Sequence, residues 1–346
     1  MSVHLSLKDD QRKKEYIFEL SGEHNSLPKA EILACFEAEG IEFKVKKEDD
    51  GVLVVDAPKL NVEEMKKRLA LTHSIDSHIF SCEAKELNDL RKPIKIKEGS
   101  FAVRAKRIRR LHESIPLKKI EKIVADNVTD ENEVDLLHPD VEIRVIISNK
   151  CHIGVKLAKI NRSAFEKRKV QFRPYFSPVS LHPKLARVLV NLSRVKVGQR
   201  LLDPFCGTGG VLIEAALVGA KTIGSDIDLK MVEGCKKNLL SLGIEDVDLF
   251  CMDIKEVEHS VKEVDAIATD PPYGRSATTN REEISSLYER AFKTSSKILT
   301  PGGYASVVVP DKDLMKIGEN FLCLKEFYAM RVHKSLTRNF CVYRNE

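Results

Sequence analysis

From Arg200 onward, strand-like and helix-like segments alternate without interruption, and this limits the fold of the 346-residue chain more than any other feature. Short apolar runs (RLLD, TIGSD, VDLFCMD, VDAIATD, GYASVVVP) are separated by segments with helical spacing (GGVLIEAALVGA, KMVEGCKKNLLSLG, a short piece at 254–261, EEISSLYERAFKTSSKIL). Strict alternation predicts a doubly wound, mostly parallel α/β sheet with ligands outside the carboxyl ends of its strands. The tail, FLCLKEFYAMRVHKS and NFCVYRNE, predicts a closing pair of strands meeting at a hairpin.

Those strand ends carry carboxylates. The first runs into DPFCGTGG at 203–210, where Gly207 and Gly209 allow a tight turn and close backbone approach, and Asp203 can accept hydrogen bonds from a cation. The spacing is not GxGxxG and no Lys-Ser/Thr follows, which disfavours a dinucleotide fingerprint and a triphosphate loop. Asp226 follows the second strand, where a carboxylate can bridge the two hydroxyls of a ribose. Asp253 follows the third and can accept from an adenine amino group, and Asp270 opens a DPPYG turn after the fourth. Singly, Asp226 or Asp253 reads equally as a turn residue, and Asp203 has a lesser alternative as a helix cap and DPPY as a rigid turn. In series they describe an adenosine-type pocket.

With DPPYG at 270–274, the sequence resembles the class I S-adenosylmethionine-dependent methyltransferases that act on amines, whose signature is [DNS]-P-P-[YFW]. The resemblance implies a Rossmann-like fold, S-adenosylmethionine as cofactor, and a binding set of Asp203, Phe205, Cys206, Gly207, Thr208, Gly209, Asp226, Ile227, Asp253, Ile254 and Asp270. It makes Asp270, Pro271, Pro272 and Tyr273 the catalytic candidates. An exocyclic amine on a base is a poor nucleophile because its lone pair is delocalised into the ring. The Asp270 carboxylate and the Pro271 carbonyl, accepting from its N–H groups, help localise that pair and stabilise the charge that develops on nitrogen. Tyr273 offers a face for an extruded base. Arg275 and Ser276 read equally as substrate contacts and as solvated loop residues, and Tyr175 and Phe176 more readily as packing residues than as base contacts.

Upstream, the order strand (YIFEL), helix (KAEILACFEAEG), strand (EFKVKK), strand (GVLVVDAP), helix (VEEMKKRLALTH), strand (HSIDSHIFSCEA) predicts an α+β ferredoxin-like domain over 1–90. Net charge is +5 for the chain but uneven: −6 over 1–90, +9 over 91–170 and +2 over the rest. The basic strand SFAVRAKRIRR, with Arg104, Lys106, Arg107, Arg109 and Arg110, makes a polyanion partner most plausible in the middle segment, although a solvated basic face remains open. That strand and the later VDLLHPD at 134–140 resemble the THUMP domain of RNA-modifying enzymes. The resemblance implies a THUMP domain over 91–160 that binds structured RNA, with the acceptor end of tRNA as the usual cargo and those five cations as candidate RNA contacts. Residues 161–177, polar, basic and weakly periodic, are expected as a linker to the methyltransferase domain at 178–346.

Taken together, the domains resemble the archaeal and eukaryotic tRNA (guanine-10-N2)-methyltransferase family, which implies transfer of one methyl group, with a second left open, to the N2 amine of a guanosine in tRNA. A THUMP methyltransferase for another tRNA guanosine, a DNA amino-methyltransferase and a non-catalytic tRNA-binding protein remain as alternatives. The eight cysteines are scattered without CxxC, and the ten histidines show no ligand pairing, so neither metal nor disulfide framework is expected. No apolar run has the length of a membrane span, and a soluble, cytoplasmic protein is expected. The sequence leaves oligomeric state open, with a monomer as the expectation.

Overall fold

The computed structural model describes residues 14–91, 93–109, 115–129, 132–177, 180–273, 283–333 and 336–346. The N-terminal elements run β1 (Glu15–Leu20), α1 (Leu27–Glu39), β2 (Lys44–Asp49), β3 (Val52–Asp56), α2 (Val62–Arg68), β4 (Thr72–Cys82), β5 (Ser100–Arg107), α3 (Leu117–Ala125), β6 (Glu133–Val134), β7 (Val141–Ile147) and β8 (Cys151–Lys159). The rest run α4 (Ser163–Lys167), α5 (Pro183–Leu192), β9 (Arg200–Asp203), α6 (Gly210–Leu217), β10 (Lys221–Asp226), α7 (Leu229–Leu240), β11 (Val247–Cys251), α8 (Ile254–Ser260), β12 (Val264–Thr269), α9 (Ile284–Ile298), β13 (Leu299–Val309), α10 (Lys312–Glu319), β14 (Cys323–His333) and β15 (Leu336–Arg344).

Two compact units result: residues up to 23, 40–66 and 72–160 form one, and 24–39, 67–71 and 161–346 the other. In the first, eight strands share one sheet in the order β2-β3-β1-β4-β8-β7-β5-β6. The β2-β3-β1-β4 part has the strand order of a ferredoxin-like sheet. Strands from both sides of residue 90 are continuous, because β4 pairs antiparallel with β8 from Ser74↔Lys159 to Cys82↔Cys151. Alternation along β5 and β7 turns Phe101, Val103, Ile143, Val145 and Ile147 onto Ile120 and Val124 of α3, closing a buried apolar cluster.

In the second unit, the sheet order is β11-β10-β9-β12-β13-β15-β14. β9 to β13 pair in parallel, and β15 joins β13 antiparallel from Tyr304↔Arg344 to Val309↔Asn339. The chain leaves β9 toward β10 and later returns to place β12 on its other side, so the strand order reverses at β9. Crevices at such a reversal, outside the carboxyl ends, are where ligands bind in this class of sheet. α5, capped by His182 with Pro183 in its first turn, packs Leu185, Val188, Leu189 and Leu192 into the same cluster as Leu27, Ala30 and Ala34 of α1 and Val211 and Ala215 of α6.

Residues 161–177 are helical at α4, where Phe165 is buried, and α4 is held through Arg168, which donates twice to the buried Glu214 of α6 at 2.8 and 3.0 Å. Arg187 of α5 pairs with the same carboxylate at 2.8 Å. Removing one partner of such a buried pair costs about 3–5 kcal/mol because the other is left uncompensated, so this stretch is fixed to the unit. The periodicity was weak because the helix has five residues and a single buried apolar side chain, Phe165, beside its ionic anchor.

Candidate active site

The carboxyl ends of β9 and β12 are adjacent, and their last residues are tied together: the Thr269 hydroxyl donates to Asp203 Oδ1 at 2.7 Å, and the Phe205 N–H donates to the same oxygen at 3.2 Å. Asp203 is buried, which pushes its carboxyl up to about 7, with the neighbouring Asp270 and Asp226 charges adding to the rise against these two bonds. The following turn takes positive φ at Gly207 (49°) and Gly209 (83°), conformations that glycine reaches without strain. A Cβ on Gly207 would meet nothing within 4 Å, so the backbone there is open to a ligand, whereas one on Gly209 would lie 2.7 Å from Cys235 Sγ. Cys206 and Thr208 are buried, Phe205 packs partly buried against the core, and the Ser180 and Thr208 hydroxyls lie 3.3 Å apart.

Asp226 closes β10. Its Oδ2 accepts from the Gly207 N–H at 2.9 Å and its Oδ1 from the Asp228 N–H at 3.0 Å, so the carboxylate braces the glycine turn. Burial raises its pKa against these bonds. The next side chain, Ile227, is 52% exposed and presents an apolar surface beside it. Asp253, just past β11, caps α8 by accepting from the Lys255 N–H at 3.0 Å and pairs with Arg290 of α9 at 3.2 Å. Ile254 is buried in the core cluster, which leaves its backbone rather than its side chain at the strand end.

Asp270 follows β12 and is half-buried, Pro271 is buried, and Pro272 and Tyr273 are half-buried. The Tyr273 hydroxyl donates to Asp270 Oδ1, and Arg338 of β15 donates from Nε to the Tyr273 oxygen at 3.2 Å. Burial raises the Asp270 carboxyl, while Tyr273 and Arg338 act in the opposite direction. Tyr273 packs against the cluster around α5, and burial beside Asp270 holds its phenol well above the ordinary range. The hydroxyl of the residue whose ring is expected to offer a face to a base is thus tied to the carboxylate, and the residue is half-buried. Gly274, Arg275 and Ser276 lie outside the described residues.

Three residues that the sequence did not single out complete the arrangement: Arg338, Arg290, and Asn238 of α7. Asn238 is fully buried; it accepts from the Tyr175 N–H at 2.8 Å and donates to the carbonyls of Tyr175 (3.1 Å) and Thr208 (3.0 Å). Tyr175 is thereby pinned against α7 while Phe176 is 58% exposed. Each of these three acts on a site residue through space, with no motif spacing to signal it.

The described candidate RNA contacts, Arg104, Lys106, Arg107 and Arg109, lie in the first unit. Arg104 donates to the Leu136 carbonyl, Lys106 to Glu19, and Arg107 to the Ile115 carbonyl; Arg109 pairs with Asp50 at 3.1 Å. Lys106 and Arg109 are nonetheless exposed, at 50% and 66% of their side-chain surface. Arg110 lies outside the described residues. Among the described residues, no group of three or more His, Cys, Asp or Glu is placed to hold a metal ion, all eight cysteines are free, and no helix is long and apolar enough to cross a membrane.

Comparison with known proteins agrees with this architecture. Residues 84–156 match the model of the THUMP domain, and 170–339 that of the RMKL-like methyltransferase domain. A tRNA (guanine(10)-N2)-dimethyltransferase of Methanothermobacter thermautotrophicus is 40% identical over 326 residues, 92% of this chain and 96% of that protein. A second protein of the same name, from Methanocaldococcus jannaschii, is 33% identical over 94% of this chain and 98% of its own length. Among solved structures, TrmN from Thermus thermophilus superposes with a TM-score of 0.54 at 21% identity, covering 96% of this chain and all of that one, a likeness of fold.

Proposed function

Because this chain belongs to the family of archaeal tRNA (guanine(10)-N2)-dimethyltransferases, we infer that it transfers methyl groups from S-adenosylmethionine to the N2 amine of the guanosine at position 10 of tRNA. The observation that carries the chemistry is the bond from Thr269 to Asp203, which sets the glycine turn and the DPPY turn side by side where the strand order reverses.

The residues present fit the methyl donor. The open backbone at Gly207 leaves room for it, and each oxygen of Asp226 takes one backbone N–H, keeping capacity for ribose hydroxyls. Asp203 is a buried carboxyl suited to an ammonium group. Ile227 offers apolar surface to an adenine, and Asp253, oriented by Arg290, a carboxylate to its amine. Phe205, Cys206, Thr208, Gly209, Ile254 and Asp270 complete the proposed contacts. When bound, the donor supplies an electrophilic methyl on a sulfonium.

This chain's own part is to present the amine. The Asp270 carboxylate and the Pro271 carbonyl accept from the two N–H groups, turning the lone pair outward, and Asp270 stabilises the charge on nitrogen until a proton leaves. The two prolines fix the turn and remove backbone N–H groups that would compete for those oxygens. After one transfer the amine keeps a single N–H, so one acceptor loses its partner, and the second methylation is expected to be slower than the first. Arg104, Lys106, Arg107, Arg109 and Arg110 are proposed to hold tRNA phosphates.

The test is labelled methyl transfer to an unmodified tRNA transcript with nucleotide mapping, comparing wild type with Asp270→Ala. The expected label is at position 10, and the variant's rate should fall by at least about a hundredfold, the scale of losing one preorganised charged group. Label at another guanosine, or an undiminished alanine variant, overturns the assignment.

A further inference from the structure

We propose that Arg338 is a positioning residue of the methyl-transfer site: it holds the Tyr273 phenol so that Asp270 keeps one oxygen open and ionised toward the guanine amine. The proposal rests on the reading above that Asp270 faces that amine.

The argument begins with strand direction. β9 to β13 are parallel, so the site takes their last residues, but β15 runs the opposite way and delivers its first residues to the same edge. Asn339 is paired with Val309, the last residue of β13, which puts Arg338 at that edge and opposite Met330 of β14. Side chains alternate along a strand, so Arg338 shares a face with Phe340 and Val342, both members of the cluster on which Tyr273 packs. The last strand thus brings a guanidinium to a motif some sixty-five residues earlier in sequence.

The hydrogen bonds then fix the roles. Arg338 Nε donates to the Tyr273 oxygen at 3.2 Å. A guanidinium cannot accept, so the phenol proton must point elsewhere, and it goes to Asp270 Oδ1. A phenol whose oxygen already accepts from a cation is the stronger donor. Oδ1 is thereby occupied, and no described residue bonds to Oδ2, which is left for the amine. Around Asp270 stand Asp203 of β9, Tyr273 of its own turn, Tyr288 of α9 and Arg338 of β15. Among these, Arg338 supplies the only positive charge. Without it, burial favours a protonated Asp270, whose hydroxyl would donate rather than accept.

The experiment uses the full-length protein with unmodified tRNA transcript. It measures single-turnover methyl transfer from pH 6 to 9, S-adenosylmethionine affinity by calorimetry, and tRNA affinity. Arg338→Gln should slow transfer about ten- to a hundredfold, the range for a group that orients a catalytic residue, and should move the acid limb of the rate profile to higher pH. Donor and tRNA affinities should stay within about twofold. Arg338→Lys restores the charge without the Nε geometry, so its acid limb should return toward wild type while the rate recovers only in part. In a Tyr273→Phe background, Arg338→Gln should add little, because the link to Asp270 is already cut.

An undiminished rate, an acid limb that does not move, or a loss confined to tRNA affinity would overturn the proposal, the last by showing that Arg338 serves as a phosphate contact. Failure of the underlying reading has its own signature, an Asp270→Ala variant that transfers methyl at an undiminished rate.

Discussion

Asn238→Asp exchanges one NH2 group for an oxygen and should be among the more damaging isosteric changes in the second unit. The amide is fully buried, accepts once from Tyr175 and donates to two carbonyls at 3.1 and 3.0 Å. A carboxylate keeps the first bond and faces both carbonyls with an acceptor. Two hydrogen bonds worth about 1 kcal/mol each are lost, and two carbonyls are left buried beside like charge, for a total of about 2–5 kcal/mol. Burial will raise the new carboxyl above its ordinary value of about 3.9, so the folded variant binds a proton more tightly than the unfolded chain. Its deficit should therefore be smallest near pH 4 and grow as pH rises through the raised value, since only the protonated acid can donate to one of the carbonyls. Calorimetric unfolding at pH 5 and pH 8 reads this directly, the relevant transition being the one that S-adenosylmethionine shifts upward. At pH 8 the expected lowering is on the order of 5–15 °C, from about 2–4 °C per kcal/mol for a unit of this size. A variant melting within about 2 °C of wild type at pH 8 would refute the account of Asn238 as the clamp between the glycine turn and residue 175.

Gly234→Ala should destabilise although it sits in α7, where alanine favours the helix by up to about 1 kcal/mol: the new Cβ would lie 2.2 Å from Tyr175 Cδ1, on a ring whose backbone Asn238 pins, and overpacking costs about 1–3 kcal/mol. A higher melting temperature would contradict this, and Tyr175→Ala should remove the penalty. Asp203, at about 7 in the free protein, should release its proton to meet the donor's ammonium group, so calorimetric affinity for S-adenosylmethionine should weaken toward a tenfold loss per unit below pH 7. Asp203→Asn should bind weakly with a flat profile; a flat wild-type profile from pH 5.5 to 8 would sink the assignment. Changing both Lys106 and Arg109 to Gln should weaken tRNA binding and lower the slope of log affinity against log salt by roughly one for each phosphate no longer neutralised, and an unchanged slope would remove them from the interface.

How much of the site could be read from the chain depended on whether its residues sit on consecutive strands of the parallel sheet. Asp203, Asp226, Asp253 and Asp270 each close a strand or follow it within two residues, so alternation alone orders them along one edge. Arg338 escaped because it precedes rather than follows the body of its strand, and antiparallel pairing cannot be told from parallel pairing by the apolar pattern. Asn238 escaped because an amide in a helix has no signature until its partners are known. Up to residue 90, strands and helices were legible from periodicity, but the pairing of β4 with β8 was not: an edge strand and an interior strand carry similar alternation when both faces are partly covered.

Charge was the least transferable signal. The excess of +9 over residues 91–170 and the deficit of −6 over 1–90 invite a picture of one basic and one acidic domain. Folding places these segments in one sheet, where they neutralise each other. Glu19 of β1 takes both Lys106 of β5 and Arg144 of β7, Asp50 takes Arg109, and Lys150 pairs with Glu83 at 3.1 Å. Arg144, 11% exposed and between Glu19 and Asp76, is committed to the sheet, since withdrawing it would strand two buried carboxyls. Arg109 differs because both it and Asp50 reach solvent, and such an exposed pair is worth about 0–1 kcal/mol; Lys106 is itself exposed, and the buried Glu19 it would leave keeps Arg144 as a partner. A phosphate can compete for such a cation at little cost. The RNA-binding capacity of the basic strand therefore depends less on how many cations it carries than on which of their present partners can be exchanged, and the salt slope of the double variant measures that number.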